Sequence, residues 1–305
     1  MILERGEQAG TLIPALLVMR LVTNFEVVAS TMFIWDYILT LGMEVDLVWK
    51  SKWNFMKGLY LFQRYMPFID TVWLVLYRQA GDNLTETVCR NVSYASGVFM
   101  VVGLAASEMI LTLRTWAMWN RNKRLSIILP ILYNLCWASG LIVLLRVVNS
   151  STCKPEFLLF LAESKSFLGV GAPPYPGFKG CFLTDSNEDI VFLWALLITW
   201  DALLLMLMLV PAIRTYRDGG NSTLMKTVHC EGVMYYLYLF VLSCINIIVV
   251  KTLPQQFQLL LSPVERVVHS MLTSRVLLHI RAQAGDNVVW SDGLTELGTT
   301  DRGVS

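Results

Sequence analysis

Seven apolar runs divide this chain, at 23–42, 53–77, 92–119, 125–148, 190–213, 227–250 and 259–280. Each comes near the roughly 20 residues that a helix needs to cross a hydrocarbon layer. In lipid a run of that kind satisfies its backbone groups as a helix. The expected fold is therefore an all-α transmembrane bundle of seven helices, with Pro67 kinking the second. Composition agrees, since 55% of the 305 residues are hydrophobic and 15% are charged, against roughly a quarter charged in soluble domains. The formal net charge of +1 and the lack of a basic or stacking motif exclude nucleic acid as a partner class. The expected division is an external N-terminal segment over 1–22, the membrane domain over 23–280 and a polar cytoplasmic tail over 281–305. The leading stretch has a short apolar patch but neither the charged n-region nor the cleavage site of a signal peptide.

Basic residues orient the bundle. Lys50, Lys52, Arg121, Lys123, Arg124, Arg214, Arg217, Lys226 and Arg281 fall on one side, which is expected to be cytoplasmic. Arg5, Arg20, Arg78, Arg90 and Lys251 fall on the other, so the bias is moderate. The N-terminus is then outside. Cys89, Cys153 and Cys181 lie on that outer side, where thiols can oxidise. So do the candidate glycosylation sites Asn83, Asn91 and Asn149, whereas the sequon at Asn221 falls inside and is expected to stay unmodified. In the long loop 149–189, the partly apolar piece 155–168 is expected along the membrane surface.

Ionisable residues within apolar runs are the most informative chemistry. At membrane depth a charge is costly enough that it faces the bundle interior and finds a partner. Counting about 1.5 Å per residue from the inner boundary puts Arg64, Glu108 and Asp201 about 18 Å up, and Asp36, Arg114 and Arg275 about 9 to 12 Å up. Each layer mixes both signs, so two near-neutral networks are expected. Asp36 is expected to pair with Arg275 or Arg64. Such networks either fix helix register or form a relay or lock that a ligand resets.

The stretch 35–70 carries a resemblance. Asp36-Tyr37-x-Leu39-Thr40, Glu44-Val45, Trp49-Lys50 and Arg64-Tyr65 resemble the block that defines a family of multi-pass membrane proteins of basidiomycete fungi, those carrying the domain of unknown function 6533. Gly180-Cys181, the run 231–236 with Asn246, and Ser274-Arg275 fit the same resemblance. It implies a fold and a place in a multi-pass membrane, in the plasma membrane or an endomembrane, rather than a reaction. In outline the chain also resembles G-protein-coupled receptors, in which a cysteine before the third helix is bonded to one in the loop after the fourth. Cys89 with Cys181 fits that pattern, because Cys181 falls on the familial Gly-Cys pair; Cys153 is the alternative partner. Cys136, Cys230 and Cys244 lie in spans and read as small core residues. The third run ends in Arg114-Thr115-Trp116 instead of the receptors' Asp-Arg-Tyr, which speaks against coupling to G proteins.

No catalytic constellation is present. Membrane hydrolases that hold zinc through histidines resemble this architecture, but His229, His269 and His279 fall at different depths and no two of them have i, i+4 spacing. They read as interfacial or core residues, and neither metal nor cofactor is expected. The seventh run has no lysine for a retinal Schiff base, and no phosphate loop or nucleophile elbow occurs. The expected activity is that of a receptor-like or membrane-organising protein, with a transporter or channel as the alternative and a metal hydrolase behind both. Its expected partners are the lipid bilayer and an unidentified ligand or membrane protein.

Overall fold

The computed structural model describes residues 2–80, 85–119, 121–149, 168–170, 183–186, 189–217, 223–253, 257–258 and 260–284. All its longer elements are helical. Helix α1 (Ile2–Glu44) is followed by a π-helical turn, Val45–Trp49. Next come α2 (Phe55–Pro67), a second π-helical stretch, Phe68–Trp73, and α3 (Leu74–Ala80). Then follow α4 (Glu86–Met118), α5 (Lys123–Asn149), α6 (Asp189–Arg217), α7 (Thr223–Thr252) and α8 (Ser262–Ala284). Between α5 and α6, β1 (Leu168–Val170) pairs antiparallel with β2 (Leu183–Ser186), with an irregularity between Gly169 and Val170, and this ribbon lies against α4.

Each of the seven apolar runs contains helix, but among the described residues five helical stretches are long and apolar enough to cross a membrane: Leu17–Trp49, Thr87–Met118, Lys123–Ile142, Val191–Arg214 and Gly232–Thr252. The two runs outside this set are the second and the seventh. Pro67 explains the first case, because a proline lacks the amide that a regular turn needs and crowds the preceding carbonyl, and here a wider π turn follows it. In the second case α8 carries Glu265, Arg266, His269 and Arg275. These two segments hold much of the polar interior.

The first run also differs from its expected bounds. A segment separate from the first span was expected over 1–22, yet α1 runs unbroken for 43 residues. At about 1.5 Å per residue that is about 65 Å, twice a hydrocarbon layer of roughly 30 Å. Gly6, Gly10 and Pro14 are spaced singly along it, and no cluster of turn residues divides it.

The α1–α2 hairpin closes through its backbone caps. Asn54 adopts an extended conformation and its side chain accepts the Lys57 amide at 2.8 Å. The Lys57 ammonium, 2% exposed, turns back to donate to the carbonyls of Trp49 (3.1 Å) and Ser51 (2.8 Å), which the end of the preceding turn leaves without amide partners. Asp46 and Lys50 form an exposed pair on the outside of the turn at 2.6 Å. Hydrogen bonding to Asp46, followed by its charge, holds the Lys50 ammonium above its ordinary pKa.

Packing is inverted relative to a water-soluble bundle. Trp35, Ile38, Trp73, Ile127, Leu135 and Met206 are exposed, whereas Arg64, Glu44, Glu108, Glu265, Arg266 and His269 are wholly buried. Exposed apolar faces around a polar interior fit an integral membrane protein. Helix α8 packs against α1, α2, α4 and α7. Its Val267 meets Ala29 and Phe33 of α1, and its Leu277 and Leu278 meet Val48, Met56, Tyr60 and Ile110. On the other side of α4, Leu111 packs with Trp200, Leu204, Met208, Tyr236 and Leu239 of α6 and α7.

Candidate functional site

Three buried polar clusters converge on α8. The first joins α1, α2 and α8. Asp36 lies one turn before Thr40 and two before Glu44, so all three face one side of α1. Arg64 of α2 projects into this row. It donates from Nη1 to Asp36 Oδ2 at 3.0 Å, from Nε to Glu44 Oε2 at 3.4 Å and from Nη2 to Thr40 Oγ1. Tyr65 donates to Glu44 Oε1 at 2.8 Å, as does the Trp49 indole at 3.2 Å. From the far side, Arg275 Nε donates to Asp36 Oδ1 at 2.6 Å. One carboxylate therefore receives two guanidiniums on different helices. Arg64 is fully buried and Arg275 is 43% exposed.

The second cluster forms where the π turn carries Asp70 inward. Arg266 Nε of α8 donates to Asp70 Oδ2 at 3.0 Å, and Thr71 donates to Asp70 Oδ1 at 2.6 Å. Arg266 Nη1 and Nη2 are buried without a hydrogen-bond partner. Gln63 lies between the first two clusters and ties α2 to α8, donating to the Ser270 carbonyl at 3.1 Å.

The third cluster joins α4, α6, α7 and α8. Glu108, Asp201 and His269 place ligand-type atoms within 4.8 Å of one another, all buried. His269 Nδ1 is 3.0 Å from Glu108 Oε1, and its Nε2 is 4.0 Å from Glu265 Oε1. Ser243 Oγ contacts Asp201 Oδ2 at 2.5 Å and Glu265 Oε1 at 2.7 Å, and Asn246 donates to Glu265 Oε2.

These positions revise the two expected layers. Arg64 does not join Glu108 and Asp201, because a long guanidinium reaches a turn away from its own Cα and finds Asp36 and Glu44. The layer it leaves is acidic, completed by Glu265 and His269 rather than balanced by an arginine. Arg114 does not join Asp36 either. It stands 5.7 Å from the Tyr236 ring, with Nε and Nη1 unpaired, packed where Gly232 leaves room. Glu44, just beyond the first apolar run, is the second carboxylate of Arg64 and fully buried, because the helix continues through it. The signal that identifies Glu265 and His269 was present in their i, i+4 spacing on one face of α8.

Among the described residues Cys136 and Cys244 are free thiols, while Cys89 is buried and is not one. Cys153 and Cys181 lie outside the described residues, as does Asn83 and the stretch 155–167. Asn91 is exposed on α4, and Asn149 is the last residue of α5.

No curated protein and no solved structure matches this chain. Residues 25–69 match the model of a family described as a family of unknown function, DUF6533, and this interval contains Asp36, Thr40, Glu44, Arg64 and Tyr65 of the first cluster, so over that interval the chain is similar to that family.

Proposed function

We propose that this chain is a multi-pass membrane protein with seven crossing segments, an outer N-terminus and a cytoplasmic C-terminus, acting as a receptor-like switch. The observation that carries the reading is the division of Asp36 between Arg64 and Arg275. The Arg64 leg is sealed in the hairpin and static. The Arg275 leg is partly exposed and joins α8, the helix on which all three polar clusters meet, so releasing it frees the end of α8 without unfolding the hairpin. A small apolar cavity between α4, α5 and α6, about 60 Å³, is lined by Val101, Leu104, Trp137, Trp194, Leu197 and Trp200. Its lining suits a membrane-soluble ligand, and Trp200 adjoins Asp201 of the third cluster. Cys89 is proposed to be bonded to Cys181, tethering the outer loop.

Hydrogen exchange in detergent tests the switch. In Asp36→Asn the amides of the α8 segment 271–284 are expected to exchange faster than in the wild type, while those of α5 stay unchanged. Unaltered exchange over 271–284 would rule out Asp36 as the latch.

A further inference from the structure

The third cluster gathers acidic side chains without a basic partner among the described residues other than one imidazole. Glu108, Asp201 and Glu265 bring three carboxylates together with one imidazole, all buried, and among the described residues no arginine or lysine forms an ion pair with any of them. Ser243 touches both Asp201 and Glu265, yet a hydroxyl has a single proton to donate, so the second contact needs a proton on one of the two carboxyls. Glu108 and Asp201 lie within hydrogen-bond reach of each other, two acids with no base between them, and both ring nitrogens of His269 are buried without an aligned hydrogen-bond partner. A buried polar atom without a partner is costly.

We propose that Glu108, Asp201 and His269 bind a divalent first-row transition-metal ion. Two atoms each about 2.1 Å from one metal lie roughly 3.0 to 3.4 Å apart at right or tetrahedral angles. His269 Nδ1 and Glu108 Oε1 are already 3.0 Å apart. The atoms of the whole set lie within 4.8 Å of one another, so metal binding requires the side chains to draw in by about 1 to 2 Å. An ion between them takes His269 Nδ1 and a Glu108 oxygen as ligands and offsets the carboxylate charge. Glu265, fixed by Ser243 and Asn246, lies 4.0 Å from the second ring nitrogen of His269 and is the outer partner that this nitrogen would approach. An imidazole among carboxylates selects zinc, manganese, iron or cobalt over calcium and magnesium. The site ties α4, α6 and α8 together, and the proposal is independent of the Asp36 latch.

The full chain, purified in detergent and stripped with a chelator, is titrated with Zn2+, Mn2+ or Co2+, with Mg2+ and Ca2+ alongside. Elemental analysis is expected to find about one transition-metal ion per chain, with a saturable rise in Tm. Bound Co2+ is expected to show visible d–d bands. Binding and the Tm response are expected to be lost in Glu108→Gln, Asp201→Asn and His269→Gln. Wild-type protein that stays monodisperse without taking up metal, or whose Tm ignores it, overturns the site. Undiminished binding in all three variants also overturns it, as does equal stabilisation by Mg2+ or Ca2+. If a variant does not fold, the wild-type Co2+ spectrum decides, and a spectrum without visible bands counts against the site.

Discussion

Arg266 lies so closely across Gly103 that a Cβ on that glycine would meet Nη2 at 2.1 Å and Cζ at 2.4 Å. The guanidinium has little freedom to retreat, because its Nε is held by Asp70 and the whole side chain is buried. Alanine normally gains up to about 1 kcal/mol over glycine inside a helix. Here overpacking, at about 1–3 kcal/mol, outweighs that gain. Gly103→Ala is expected to lower the melting temperature in detergent. Gly140→Ala is the control, since its new methyl would find only Leu193 and Leu196 at 3.5 and 3.6 Å.

Asp36 gives a second expectation. Asp36→Ala leaves the buried Arg64 with a weakened partner set and Arg275 with none of its own, a loss of about 3 to 5 kcal/mol. Arg275→Ala removes the exposed leg and is expected to cost no more than about 1 kcal/mol. The double variant should be less destabilised than the sum of the two, because each single change removes the same contact. Strict additivity in thermal melts would contradict the observed pairing.

A narrower test concerns Tyr65. Its hydroxyl donates to Glu44 at 2.8 Å, a charge-assisted bond. Tyr65→Phe is expected to cost about 1.5 to 3 kcal/mol. Tyr37→Phe should cost less, since the Tyr37 hydroxyl meets only that of Tyr65, at 3.4 Å. Chemical denaturation of the two variants side by side separates them.

Much of the first cluster is legible from residue types alone: an aspartate and two arginines in apolar runs must find one another or leave the membrane. Depth counting from Cα positions failed for Arg64 because the side chain reaches beyond its own level. Glu44 is not legible as a buried group, since it lies past the end of the first apolar run and only the continuing helix carries it inward. Glu265 and Arg266 stand near the start of the last run, where charges look interfacial. Only tertiary packing shows that α8 begins inside the bundle, with Leu260 and Ser262 already buried.

Orientation is open to a direct check. A tag after Ser305 is expected to be protected from protease added to intact cells and cleaved once the membrane is opened. Digestion from outside would reverse the proposed topology.

Peptide mapping without reductant is expected to recover Cys89 joined to Cys181. Recovery of Cys89 with Cys153 would shift the tether to the earlier part of the loop, and two free thiols at 89 and 181 would remove it.

On the proposed topology, the buried charges also set an order of synthesis. A charged residue at the centre of a helix opposes transfer into lipid by about 2.5 to 3.5 kcal/mol, so α2 and α8 are poor candidates for independent insertion. For α2 the remedy emerges from the ribosome just ahead of it, since Asp36 precedes Arg64 by 28 residues. Arg275 follows Asp36 by 239 residues, and Arg266 follows Asp70 by 196. The nascent chain must therefore hold Asp36 with one cation and Asp70 with none until its last helix arrives. That interval is when an unfinished chain is most exposed to quality control, and a premature stop before 262 would leave it there permanently.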